Sequence, residues 1–129
     1  MKRALIADDS RMARMFVRQC LQIAGLRDWE FKEASHGEEA LVMLKAEPFD
    51  LLVTDLNMPV LDGARLLKHV RASPKLVDLP VLVVTSAGNP AREKELVLAG
   101  AFAVLCKPVS PATMARTLAP LLSTGGEST

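Results

Sequence analysis

Two runs of this chain, Leu51-Leu52-Val53-Thr54 and Val81-Leu82-Val83-Val84, show almost no polar alternation, so a strand made from either is buried on both faces. Such strands need helices above and below them, which is the arrangement of a parallel sheet built from βαβ units. Leu5-Ile6-Ala7, Trp29 to Ala34 and Val104-Leu105-Cys106 supply three further strands, and a helix-length segment follows each of the five. The expectation is one α/β domain with a five-stranded doubly wound parallel sheet, for which the strand order 2-1-3-4-5 is a common solution.

Helix signals fit that scheme. Arg11 to Ala24 sets Met12, Phe16, Cys20 and Ile23 at helical spacing, with Arg11, Arg14 and Arg18 on the other side as a solvated face and Gly25 as a stop. Ser35 and Glu38 have capping-box spacing for a helix running to about Ala46, ahead of Pro48. A third helix covers about Ala64 to Ala72 and must stop before Pro74. Asn89-Pro90 and Ser110-Pro111 open the last two helices, and Gly100 suits the left-handed position after the first of them. The domain is read as residues 1–122, followed by a Gly/Ser/Thr-rich tail over 123–129 with frayed structure.

Four strands end in residues able to handle phosphate or a hard cation: Asp8-Asp9 after the first, Asp55 after the third, Thr85 after the fourth and Lys107 after the fifth. Open α/β sheets bind ligands outside the carboxyl ends of their strands. Each residue alone has a plain structural reading, as a cap, a turn or a surface charge, but four such endings on one edge read together as a site. In the order 2-1-3-4-5 the first and third strands are neighbours, so Asp8, Asp9 and Asp55 meet. Two unit charges about 4 Å apart repel by roughly 4 kcal/mol at an effective dielectric of 20, so something must offset the crowding. A raised pKa with a shared proton is one answer and a divalent cation with oxygen ligands is another; the oxygen-only set favours magnesium. His36 and His69 fall at a helix opening and within a helix, which disfavours zinc and copper. A carboxylate can also attack phosphorus to give an aspartyl phosphate, with Lys107 and Thr85 neutralising and positioning the group.

Composition excludes other classes. The 129 residues are 50% hydrophobic and 24% charged with a formal net charge of +1, giving no basic footprint for direct nucleic-acid binding. Apolar runs are strand-length, short of the roughly 20 residues that span a bilayer, and no signal-peptide core follows Met1, so a cytoplasmic location is expected. Cys20 and Cys106 read as small buried hydrophobes in a reducing compartment, and the Met residues as core filling.

Asp8-Asp9, Asp55 with Leu56-Asn57-Met58-Pro59, Asp62-Gly63, Thr85-Ser86 and Lys107-Pro108, in that order and each at a strand end, closely resemble the motifs of the response-regulator receiver domain. This is the phosphoacceptor half of two-component signalling, with a flavodoxin-like (βα)5 fold. The resemblance spans essentially the whole chain. It implies that Asp55 is phosphorylated, that Asp8, Asp9 and Asp55 with the backbone carbonyl of Asn57 hold Mg2+, that Thr85 binds the phosphoryl group, that Lys107 pairs with it, and that the bond before Pro108 is cis. It further implies a sensor histidine kinase or histidine phosphotransfer protein as donor. Phosphorylation then changes the face made by the fourth helix, fifth strand and fifth helix, about Pro90 to Leu122, where partner binding or dimerisation would follow. With no output domain after the last helix, a stand-alone regulator is expected.

Two departures stand out. Val104 occupies the switch position where many family members carry Tyr or Phe, so Thr85 would move without a turning ring. Ala87, two residues past Thr85, offers no polar group to orient water, which implies slow self-dephosphorylation. Among competing readings, a phosphatase of the haloacid-dehalogenase type would separate its two first-strand aspartates by one residue, whereas Asp8 and Asp9 are adjacent. A flavin-binding relative would need a hydroxyl-rich phosphate loop and ring-stacking aromatics; this chain has acids there, no Tyr and one Trp.

Overall fold

The computed structural model describes residues 2–86 and 88–126. Strands β1 (Arg3–Ala7), β2 (Glu30–Ala34), β3 (Leu51–Asp55), β4 (Val81–Thr85) and β5 (Ala103–Cys106) form one parallel sheet in the order β2-β1-β3-β4-β5. Helices α1 (Arg11–Leu21), α2 (Gly37–Ala46), α3 (Gly63–Ala72), α4 (Pro90–Leu98) and α5 (Pro111–Gly126) alternate with them. Strands β3 and β4 are buried along their whole length, as their unbroken apolar character requires.

Strand alternation divides the core in two. Leu5, Ala7, Leu52, Val81 and Val83 pack on one face with Leu44 of α2, Leu66, Leu67 and Val70 of α3 and Leu96 of α4. Ala4, Ile6, Leu51, Val53, Leu82 and Val84 pack on the other with Val17, Cys20 and Leu21 of α1 and Met114 and Leu118 of α5. The side-chain period of two in a strand sends neighbours to opposite faces, and each buried Leu or Ile contributes roughly 1.5–3 kcal/mol of hydrophobic stabilisation.

Helix boundaries follow local chemistry. Asp62, Asn89 and Ser110 cap α3, α4 and α5 by accepting from Arg65 N, Arg92 N and Thr113 N. Gly100, with φ 112°, follows α4 in the left-handed region.

Several expectations are corrected. The cap of α2 is His36 rather than Ser35: His36 Nδ1 accepts from Glu39 N at 3.2 Å, and the Glu39 carboxylate reaches back to Ser35 N at 2.7 Å. The capping box is thus displaced by one residue, and the bonds from Ser35 hold the Glu39 carboxyl below its ordinary value. Of the expected inner stripe Cys20 is buried, but Met12 is 77% exposed, Phe16 half-exposed and Ile23, just past α1, 72% exposed. The helix seats Val17 and Leu21 beside Cys20, so its core-facing stripe is rotated from the expected one. Arg14 is not a solvated residue, its side chain being 14% exposed. Cys20 is buried, but Cys106 is exposed, with Sγ 3.5 Å from Glu93 Oε2. A π-helical turn over Gln22–Leu26 follows α1, and Gly25 within it has φ 127°. Helix α5 runs through Pro120 to Gly126, into the segment read as tail; residues 127–129 and Ala87 lie outside the described residues.

Candidate functional site

The register between β1 and β3 pairs Ala7 with Thr54, which sets Asp8 beside Asp55 where the two strands end. One carboxylate oxygen from each of Asp8, Asp9 and Asp55 lies within 4.8 Å of the others. Asp8 and Asp55 are buried and Asp9 is exposed, so the cluster is open on one side. From β5, Lys107 Nζ reaches Asp8 Oδ2 at 3.0 Å and Asp55 Oδ1 at 3.6 Å. Ser10 N donates to Asp8 Oδ1 and Leu56 N to Asp55 Oδ1, each at 2.9 Å.

The electrostatics are unbalanced. Burial raises the Asp55 pKa, the neighbouring Asp8 charge raises it further, and Lys107 and the Leu56 amide only partly oppose this. Burial works against the charged form of Lys107, but its bond to Asp8 and the charges of Asp55 and Asp8 outweigh it, so its pKa is raised. Three carboxylates against one ammonium leave two negative charges, which one divalent cation would balance. The donors are all oxygens, so the cluster fits a hard metal ion.

The remaining predicted residues lie around this cluster. Asp55 pairs in register with Val84, which puts the fully buried Thr85 one step further along β4 at the same edge. Lys107 N donates to Thr85 O at 2.9 Å, tying the ends of β4 and β5, and the Lys107–Pro108 peptide bond is cis. Asn57 is exposed in the loop after β3, two residues beyond Asp55. That loop is closed by Gly63 N donating to Leu56 O at 2.8 Å and anchored by buried Met58. A Cβ at Gly63 would collide with the Asp55 carbonyl oxygen, so only glycine lets α3 start this close to the site. Val104 pairs with Val83 on the edge strand β5 and is partly buried.

Sequence reasoning missed Arg14, whose Nη1 donates to the main-chain oxygen of Asp8 at 2.6 Å. The signal was present: Arg14, Val17 and Leu21 share one helical stripe, and the last two are core residues.

Among the described residues no helix is long and apolar enough to cross a membrane. Residues 4–119 match the sequence model of the response regulator receiver domain. The chain is 37% identical over 122 residues to a chemotaxis protein CheY homolog of Campylobacter jejuni, covering 94% of this chain and 92% of that protein. It is 39% identical over 114 residues to the chemotaxis protein CheY-3 of Vibrio cholerae, covering 88% and 86%. In three dimensions it is similar to the chemotaxis response regulator CheY4 of Vibrio cholerae, with a TM-score of 0.81, 35% identity and coverage of 94% and 98%. A family match over nearly the whole chain, joined to an acid cluster and lysine at the carboxyl edge of a 2-1-3-4-5 sheet, makes this chain a member of the response-regulator receiver family, a CheY-like signalling domain of two-component systems.

Proposed function

We propose that this receiver takes a phosphoryl group onto Asp55 from a phosphohistidine, with Mg2+, and signals through the change of shape that follows. The observation that carries the reading is the convergence of Asp8, Asp9 and Asp55 with Lys107 spanning Asp8 and Asp55. An Asp55 carboxylate oxygen attacks phosphorus while the bond from phosphorus to the donor imidazole nitrogen breaks, and the electron pair leaves with that nitrogen. Lys107 stays against the transferred oxygens, and the Thr85 hydroxyl is the group on β4 able to bond them. The side chains of Asp8, Asp9 and Asp55 and the main-chain carbonyl of Asn57 would hold Mg2+, which supplies charge neutralisation on the phosphoryl oxygens. Water later cleaves the acyl phosphate to carboxylate and phosphate. That step is slow, since Ala87 brings no polar side chain to orient the water. The domain thus assists its own modification.

The donor is a sensor histidine kinase or a histidine phosphotransfer protein in the cytoplasm. Support for docking beside the site comes from exposed Met12, Met15 and Phe16 and from an apolar hollow of about 400 Å³ lined by Ala13, Phe16, Val17, Lys107, Pro108 and Val109. Similarity to a chemotaxis protein CheY homolog over 122 residues supports a receiver whose phosphorylated form acts on a target protein.

Incubation with acetyl phosphate and Mg2+, followed by intact-mass measurement, tests the assignment. Wild type is expected to gain one phosphoryl group, Asp55→Asn none, and Asp9→Ala little, since fewer carboxylates remain for the metal. Stoichiometric labelling of Asp55→Asn, or undiminished labelling in excess chelator, would overturn it.

A further inference from the structure

Of the three α1 arginines, Arg14 is drawn inward, while Arg11 is exposed and the Arg18 side chain is 43% exposed. Its guanidinium bridges two elements: Nη1 donates to Asp8 O at 2.6 Å and Nε to Glu33 Oε1 on β2 at 2.7 Å. Arg18 Nη1 lies 3.5 Å from the second Glu33 oxygen and its guanidinium lies over the Phe31 ring, which steadies Glu33 from the far side. The carbonyl that Arg14 grips belongs to the peptide unit joining Asp8 to Asp9. A peptide unit is planar, so holding its oxygen fixes the plane, and with it the direction in which the Asp9 side chain leaves the backbone relative to Asp8. The β1–β3 ladder stops at Ala7, so this plane lies beyond that pairing.

We propose that Arg14, clamped by Glu33, is a positioning residue that locks the Asp8–Asp9 peptide plane and presents the two carboxylates as one cation-binding pair. Glu33 matters as much as the arginine. An uncompensated guanidinium this close would repel a divalent cation; Glu33 offsets the Arg14 charge while the hydrogen bond to Asp8 O stays in place. The inference rests on the reading of Asp8, Asp9 and Asp55 as a metal site, and it assigns that site a supporting pair from α1 and β2.

Calorimetric titration of the full chain with MgCl2 at low ionic strength, together with melting in EDTA, tests it. Arg14→Met is expected to weaken Mg2+ binding roughly tenfold, the low end of what loss of an outer partner of a metal ligand costs. A merely structural role would lower the Tm in EDTA and leave the Kd unchanged; a Kd within about twofold of wild type therefore overturns the proposal. Glu33→Gln keeps an acceptor for Arg14 Nε and removes only charge, so it decides the matter if Arg14→Met does not fold. Its binding is expected to be roughly threefold weaker at low salt and to approach wild type as salt screens the guanidinium. Equal affinity at low salt overturns the clamp. Wild type that binds no Mg2+ overturns the metal-site reading along with this one, whereas wild type that binds while both variants bind equally overturns this one alone.

Discussion

At Asp55 two costs add: the carboxylate is taken out of water and set beside the charge of Asp8. Lys107 and the Leu56 amide return part of that cost, and the raised pKa shows that they do not return all of it. The folded-state pKa lies above the unfolded one, so the native state keeps its proton longer. Stability therefore falls as pH rises from the ordinary carboxylate value through the raised one, and stays lower above it. Without divalent cation, Asp55→Asn is expected to be more stable than wild type at pH 7 by on the order of 1–2 kcal/mol, a fraction of the roughly 4 kcal/mol felt by two charges 4 Å apart at a dielectric of 20. The gap should close below about pH 4, where Asp55 is protonated folded or unfolded. Mg2+ should also narrow it, because three carboxylates gain more from the ion than the two left in the variant. Urea titrations across pH, with EDTA or MgCl2, read all three effects. A metal-free variant less stable than wild type at pH 7 would mean that the bonds to Lys107 and Leu56 outweigh the burial.

Between β3 and α3 the chain stores strain rather than charge. Val60 has φ 69°, and Leu61 N donates to Pro59 O at 2.7 Å, closing a γ-turn around a β-branched residue. Left-handed backbone costs an ordinary residue roughly 1–2 kcal/mol, and Val60 is exposed, so no side-chain burial offsets it. The neighbours hold it there: Met58 is buried on one side, and Gly63 is pressed against the Asp55 carbonyl on the other. Val60→Gly should remove the strain and lose part of the gain to the greater freedom of an unfolded glycine, a net stabilisation of roughly 0.5–1 kcal/mol. Urea midpoints of the two proteins check this. A lower midpoint for Val60→Gly would show that the turn is not strained by its side chain.

Across the whole molecule the elements are unequally anchored. Helix α3 buries Leu66, Leu67 and Val70, whereas α4 buries Leu96 alone among its described residues. Arg71 on α3 donates from Nε and Nη2 to Gly100 O, at 3.0 and 2.8 Å, and so pins the segment after α4. An element with one buried side chain, fixed at its C-terminal end, is poised to move. Charge added at Asp55 would draw Thr85 and Lys107, which sit at the ends of β4 and β5 and are joined by the Lys107 N to Thr85 O bond. Because Val104 has no ring to turn, the response should be concentrated in α4 and the segment leading into it. Hydrogen exchange with a phosphoryl mimic and Mg2+ is expected to change protection over residues 88–106, and changes confined to Asp8, Asp9 and Asp55 would refute this.

Element order, the parallel sheet and the edge that carries the acids are legible in the chain alone, because strand and helix periods and the residues at strand ends are local and survive without knowledge of packing. The Asn89 and Ser110 caps were legible for the same reason: a cap bonds its own chain three residues on. Tertiary structure decided what depends on competition between near-equal local choices. Helix α1 offers two apolar stripes, and docking on the sheet chose Val17, Cys20 and Leu21 over Met12 and Phe16. His36 displaced Ser35 as the cap of α2, although both lie next to an acceptable helix start. Arg14 is drawn inward by Glu33 of β2, 19 residues away, and Cys106 at the end of β5 meets Glu93 of α4, 13 residues away; neither contact is written in the local sequence. Val60 was illegible altogether, since a β-branched residue adopts left-handed backbone only when long-range packing imposes it.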